Sequence, residues 1–448
     1  MHAAVVLNGA TIAACATAAG RGGIGIIRLS GAQAAAIAMR LCGREQGFTP
    51  RQAHLCRWFD EHGGCLDEGL VLYFPAPASY TGEDVIELQG HGSPVLLQAI
   101  LQRCYDLGCR PAQAGEFTRR AVANGCMDLS QAEGVIACID AATERAARQA
   151  QRHLAGEFGR MVQQLMDVLL GITAHAEACL DFPEEEIPPL FLDQLRDQIR
   201  QQLLQAMTTM LRQADFGERL FNGATAVIVG APNVGKSSLL NALSGRDRAI
   251  VSATAGTTRD VLEVDFAVHG IPVRLLDTAG LRHSDDAIEQ EGVYRARSQA
   301  DIADVTVFVA DATRPDTWTV PEGISPQIYV MNKVDAVTSE TDWDAHYLPL
   351  SVHQGQGLSQ VVDAMAACLG DEPADDETPL ITRSRHRAAV QRAEQALQAA
   401  CELLDDEATM DLATLELRRA HSALAEIVGM GDVEDILDRV FSEFCIGK

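Results

Sequence analysis

Residues 225–243 read TAVIVG, APNV and GKSSLLNAL: an apolar strand, a short loop closed by Gly-Lys-Ser, and a helix. Few sequences constrain a fold as tightly. Successive backbone N–H groups of such a loop, together with the N-terminus of the following helix, form an anion site. Lys236 then reaches the outer phosphates of a nucleotide, and Ser237 offers its hydroxyl to Mg²⁺. Asn233, Val234, Gly235 and Ser238 belong to the same cradle. The surrounding residues 222–370 alternate apolar strands (PVRLLD, DVTVFVAD, QIYVMN) with helical stretches, the pattern of a parallel sheet with crossover helices.

Three further pieces follow in order. AGTTRD (255–260) supplies Thr257 and Thr258, either of which can coordinate Mg²⁺ from a closing loop. DTAG (277–280) places Asp277 near the metal, with Thr278 beside it and the Gly280 amide available to the terminal phosphate. NKVD (332–335) brings Asn332, Lys333 and Asp335, whose carboxylate can accept both hydrogens of a guanine edge, a donor pair adenine lacks. SVHQGQG (351–357) adds Ser351 on the base side, with Val352 where Ala is usual. Together these imply a guanine-nucleotide hydrolase. After DTAG stands Leu281, which cannot orient a water as the Gln of Ras-type enzymes does. Arg282, Asp285, Asp286, Glu289 and Glu291 are the nearby candidates for that work, or simply a solvated helix face.

Composition sharpens this reading. Lysine occurs only at 236, 333 and 448, so the surviving ammonium groups stand out against a background of arginine. A net charge of −26 opposes a broad nucleic-acid surface, although residues 1–120 balance ten Arg against ten acids. The 12 cysteines include no C-x-x-C pair and read as reduced thiols of a cytoplasmic protein. No apolar run is long enough for a membrane span, and the start lacks the basic residues of a leader peptide.

Residues 1–120 alternate short apolar runs with Gly and Pro and suggest a small α+β domain with helices near 31–42 and 94–107. Residues 121–215 are helical in texture, broken at PEEEIPP (183–189). Residues 216–376 carry the nucleotide motifs, and helical texture returns over 377–448. The economical arrangement is an α/β domain inserted into an all-α domain. The GRGGIG run (20–25) precedes a strand instead of a helix, so it is read as a Gly-rich turn and not as a dinucleotide fingerprint. In GEDVIELQGHG (82–92), Glu83, Asp84, Glu87 and His91 are either a solvated edge or a ligand site beside flexible glycines; if the core is a strand, Glu83, Val85 and Glu87 share a face.

Beyond the nucleotide motifs, GRGGIGIIRLSG (20–31), YTGEDVIELQGHG (80–92), GEFTRRAVANG (115–125), LSQAEGV (129–135) and the terminal FCIGK resemble the MnmE (TrmE) family of tRNA-modification GTPases over nearly the whole chain. The resemblance implies a multidomain protein: an α+β N-terminal domain that binds a formyl-tetrahydrofolate and dimerises, an all-α helical domain, and an inserted Ras-like P-loop GTPase domain. It implies a homodimer working with the flavoprotein MnmG on C5 of the wobble uridine of certain tRNAs. It also implies a K⁺ ion held by Asn233 with Ser252, Thr254 and Thr257, Mg²⁺ held by Ser237 and Thr258, and a water-orienting role for Glu289. By the same resemblance Arg28, Glu87 and Lys448 are folate ligands and Cys445 lies near the reaction site. Cys126 stands where the family usually has Lys, a departure that bears on the folate tail.

Overall fold

A computed structural model of the chain describes residues 9–181, 189–245, 264–276, 297–337, 343–373, 378–404, 409–431, 434–442, 444 and 446–447. The chain forms two compact units, one of residues 1–136 with 428–448 and one of residues 137–427.

The first unit is built on a six-stranded sheet of order β3-β4-β5-β2-β1-β6, with β1 (Ile12–Cys15), β2 (Gly25–Ser30), β3 (His54–Phe59), β4 (Cys65–Phe74), β5 (Val85–Gly90) and β6 (Arg110–Pro111). All neighbours are antiparallel except β1 and β6. Helices α1 (Ala34–Cys42) and α2 (Pro94–Asp106) fall where the sequence places them. Their apolar residues pack with alternate strand residues Ala13, Ile27, Leu29, Ile86 and Leu88 into one core. α1 stops at Gly43, whose φ of 61° supplies the left-handed turn that closes its last carbonyls. The opposite sheet face meets α3 (Glu116–Ala123) through Phe117, packed with Ile12 and Ala14. The end of the chain belongs here as well: Phe441 and Phe444 pack with Leu129 and Ile136 of α4 (Leu129–Asp140).

The GRGGIG run is a turn entering β2, with the Gly22 amide donating to Gly92 O (3.0 Å). The strand of the acidic segment starts at Val85, so Glu83 lies in the preceding loop and does not share a strand face with Glu87.

In the second unit, α5 (Glu144–Leu154), α6 (Glu157–Asp181), α7 (Pro189–Gln198), α8 (Gln205–Arg212) and α9 (Ala214–Asn222) lead into the second sheet. Between α7 and α8 the backbone widens into a π segment, Ile199–Leu204. The buried residues there are Leu195, Ile199, Leu203 and Met207, spaced strictly by four. In an α-helix that spacing drifts about 40° per step, and the wider turn offsets the drift so that one face stays buried. The second sheet has order β12-β11-β10-β7-β9-β8, formed by β7 (Ala224–Val229), β8 (Val264–Val268), β9 (Ile271–Leu276), β10 (Val305–Asp311), β11 (Ile328–Asn332) and β12 (Tyr347–Leu350). It is parallel except for the hairpin β8–β9. α10 (Lys236–Ser244) and α11 (Leu358–Cys368) cover it, and α12 (Ser384–Leu403) and α13 (Met410–Val428) complete the helical part. At the hairpin tip, Arg145 of α5 donates to His269 O and to Glu372, and the Thr143 hydroxyl donates to Gly270 O. No described helix is long and apolar enough to cross a membrane.

Candidate functional site

The parallel strands β7, β10, β11 and β12 of the second sheet all end on one side, and the described motif residues, 230–238, 332–335 and 351–357, follow those strand ends. β7 lies between β10 and β9, where connections leave in opposite directions, the place at which open α/β sheets generally bind ligands. From β7 the chain turns through residues 230–235 into α10. Gly230 has φ 149°, and a side chain there would overlap Val309 O on β10, so the position takes glycine on both counts. Asn233 takes φ 65° and Gly235 φ 105°, and Val234 is buried as the loop's apolar anchor. Lys236 folds back over the loop, its Nζ donating to Gly230 O (2.8 Å) and Ala231 O (2.9 Å). Ser237 and Ser238 are exposed in the first turn of α10, and the Asn233 side chain is exposed above it. A hydroxyl and an amide oxygen on an accessible loop fit hard, oxygen-seeking cations such as Mg²⁺ and K⁺.

The base-side segment is stitched to this loop. Asn332 Nδ2 donates to Val234 O (2.8 Å), and Lys333 Nζ donates to Asn233 O (2.9 Å). A side chain at Gly235 would overlap Asn332 Nδ2, so only glycine permits that approach. Lys333 has φ 62° and opens a short turn, Val334–Ala336, that leaves Asp335 exposed. Ser351 is buried, paired with Gln356 through both backbone bonds, and its hydroxyl accepts from Gln354 N. Val352 N lies 3.5 Å from Asn332 Oδ1, a backbone contact indifferent to the change from Ala. Lys333 Nζ also donates to Asp311 Oδ2 (2.6 Å), a buried carboxylate at the end of β10 that the motifs did not reveal. Burial pushes the Asp311 carboxyl up, but bonds from Lys333 and Thr313 more than offset this and hold it below the usual carboxylate range.

Ser252, Thr254, Thr257, Thr258, Asp277, Thr278, Gly280, Leu281 and Glu289 lie outside the described residues, as do Cys445 and Lys448. Their flanks are placed: Leu276 ends β9 alongside Val227 of β7, and Val264, paired with Leu275, begins β8 at the same edge. Among the described residues there is no group of three or more His, Cys, Asp or Glu side chains able to hold a metal.

In the first unit, Arg28 on β2 and Glu87 on β5 are direct cross-strand partners. Nε and Nη2 of Arg28 donate to Glu87 Oε1 at 3.1 and 2.9 Å, and Gln89 Nε2 reaches the other oxygen at 3.4 Å. The guanidinium lies 5.1 Å from the Tyr80 ring centre and 5.8 Å from that of Phe117. Burial raises the Tyr80 phenol, whose OH pairs with Thr118 (2.8 Å). Cys126 is exposed and touches the same 80–84 loop, since a side chain at Gly82 would meet its Sγ at 2.9 Å. The tail arrives nearby: Ile446 pairs with Ala114, and Gly447 lies so close to Cys15 O that a side chain there would overlap it. Arg28, Glu87, Tyr80 and Phe117 thus form one polar-aromatic cluster, in which Tyr80 and Phe117 went unnoticed in the sequence although both sit inside quoted motifs.

Two family profiles match the chain: "GTP-binding protein TrmE N-terminus" over residues 11–126 and "MnmE helical domain" over residues 129–445. Curated relatives span the full length. Those from Bordetella petrii and Xanthomonas euvesicatoria, both named tRNA modification GTPase MnmE, are each 46% identical over 98% of this chain, covering 98% and 99% of those proteins. A third of that name from Stutzerimonas stutzeri is 45% identical over 98% of this chain and 99% of its own. A solved structure of Aquifex aeolicus Era bound to GDP.AlF4- is 27% identical over 39% of this chain and 66% of that one, at a TM-score of 0.26. With two family profiles that together span residues 11–445 and full-length relatives of this identity, the chain belongs to the MnmE family of tRNA modification GTPases.

Proposed function

We propose that this chain hydrolyses GTP to GDP and phosphate and, as a cytoplasmic homodimer with the flavoprotein MnmG, serves the modification of C5 of the wobble uridine in certain tRNAs. The observation that carries the reading is the double tie of the guanine-reading segment to the phosphate loop through Asn332 and Lys333. It prearranges both halves of one nucleotide site. Lys236, now capping two loop carbonyls, exchanges them for phosphate oxygens when nucleotide binds. Asp335 selects guanine, Ser351 and Val352 support the base side, and the amides of residues 233–238 hold the phosphates. Thr257, Thr258, Asp277, Thr278 and Gly280 complete the enclosure around the terminal phosphate, and Glu289 orients the attacking water in place of the missing Gln.

Two cations belong to this proposal. Mg²⁺ held by Ser237 and Thr258, and K⁺ held by Asn233, Ser252, Thr254 and Thr257, supply positive charge that offsets the charge developing on the phosphates. In the first unit, Arg28, Glu87 and Lys448 bind a 5-formyl-tetrahydrofolate or related folate, with Cys126 at its tail and Cys445 near the chemistry. The Arg28–Glu87 pair supports this, because it keeps a carboxylate and a guanidinium oriented beside aromatic rings that can flank a flat heterocycle.

The test is the GTPase rate of purified protein in K⁺ against Na⁺ at matched ionic strength, with Asn233→Ala alongside. Strong K⁺ stimulation that the variant loses is expected. Equal rates in the two salts would refute the K⁺ mechanism and direct the search to a protein activator acting in trans.

A further inference from the structure

Asp311 is the last residue of β10 and is completely buried. Each of its polar atoms is engaged. Oδ2 accepts from Lys333 Nζ (2.6 Å), while Oδ1 accepts from Thr313 N (3.0 Å) and Thr313 Oγ1 (2.7 Å). Its own amide donates to Thr317 Oγ1 (3.0 Å), and its carbonyl accepts from Trp318 Nε1 (2.8 Å). A buried carboxylate is costly unless paired, and a neutral oxygen could serve the Thr313 donors as well. Among the described residues the charge that matches it is the Lys333 ammonium, which also bonds the carbonyl of Asn233 in the phosphate loop.

We propose that Asp311 is a positioning residue for guanine-nucleotide binding: it holds Lys333 in the bridge between the base-reading turn and Asn233 of the phosphate loop. The proposal rests on the nucleotide-site reading above. Asp311 itself touches no nucleotide in this scheme. It keeps a flexible four-carbon side chain in one rotamer, so that the bridge exists before the ligand arrives and the ordering cost does not fall on binding. The Thr313 bonds in turn hold the carboxylate, and Trp318 and Thr317 hold the backbone that carries it.

The experiment measures binding and release of a fluorescent (mant) GDP by the full chain, for wild type, Asp311→Asn, Lys333→Met and the double variant. Asp311→Asn preserves shape and loses the charge. On the order of a tenfold rise in Kd is expected, carried mainly by faster release, as befits a lost charge-assisted bond. The double variant should bind no worse than Lys333→Met alone, because both changes break one bridge. A Kd for Asp311→Asn within about twofold of wild type overturns the proposal, even if the unliganded Tm falls, since that is the mark of a purely structural carboxylate. So does a double variant whose loss is the product of the two singles. Should Asp311→Asn fail to fold, Thr313→Val loosens the same carboxylate more gently. It is expected to weaken GDP a few-fold, about a single neutral hydrogen bond's worth, and wild-type affinity in that variant refutes the idea. Failure of the wild type to bind the probe would overturn the nucleotide reading itself, a result distinct from all of these.

Discussion

Gly235→Ala is the sharpest perturbation the nucleotide site offers, because two independent costs converge on one methyl group. The residue sits at φ 105°, a conformation that L side chains rarely adopt. Holding a non-glycine residue there costs about 1–3 kcal/mol. The new Cβ would also overlap Asn332 Nδ2, which donates a buried bond to Val234 O. Displacing that amide leaves polar groups unpaired, at about 1–3 kcal/mol. The sum is about 2–6 kcal/mol. Unliganded protein can relax by letting Asn332 move, but binding needs the loop and the base segment in register, so much of the cost reappears on binding. Kd for mant-GDP should then rise by between about 30-fold and about 10⁴-fold. Gly245→Ala, at the other end of α10, is the matched control: its φ is −79° and the nearest atom to a new Cβ is 3.4 Å away. It should bind like wild type. Titration of both variants decides the matter, and a Gly235→Ala protein within threefold of the control would refute the steric account.

The hairpin tip carries a pH dependence. Its bond to Glu372 raises the His269 pKa above the ordinary imidazole value; burial opposes this and Asp363 adds to it, while Arg145 bonds the same Glu372. The folded pKa exceeds the unfolded one, so this stabilisation is complete below about pH 6.5 and is lost as pH rises through the folded value. Thermal midpoints between pH 6 and 9, on a scale of roughly the ordinary His range, should decline less steeply in His269→Gln; identical slopes would contradict the assignment. In the first unit, Arg120 is almost fully buried between Glu83 and Glu116; Glu116 keeps Arg110 and Gln113 N and Glu83 keeps the Ser30 hydroxyl, so Arg120→Ala should cost about 1.5–3 kcal/mol, the worth of lost charge-assisted bonds. Calorimetry should show that loss, and a change under about 1 kcal/mol would mean the network is dispensable. On the proposed folate reading, Cys126→Lys places a cation beside the 80–84 loop and should raise folate affinity several-fold, as expected for an added charge-assisted contact. Titration with 5-formyl-tetrahydrofolate measures it, and unchanged affinity would detach residue 126 from the folate tail.

What could be read from the sequence alone had a local physical cause. The phosphate loop depends on a strand, a tight turn and a helix start within twenty residues or so, and such spacing is visible in letters. The central strands β7, β9, β10 and β11, α1 and α2, and the helical texture on both sides followed from apolar periodicity. NKVD suggested a guanine-reading turn because a carboxylate there can accept both hydrogens of a guanine edge.

Tertiary structure alone decided the rest. Arg28 and Glu87 are 59 residues apart and meet only because β2 and β5 pair in one particular register, which alternation cannot specify. Asp311 looks like any strand-end acid until β10 and β11 lie side by side and bring Lys333 onto it, 22 residues later. The return of the chain's end to the first unit is set by Phe441 and Phe444 finding Leu129 and Ile136, a match of shape and apolar area that no short window of sequence contains. Motifs thus declared which chemistry the chain can perform, because chemistry needs particular groups at short spacing. Which buried groups hold those motifs in place was decided by packing, because a long-range contact depends on the whole fold at once.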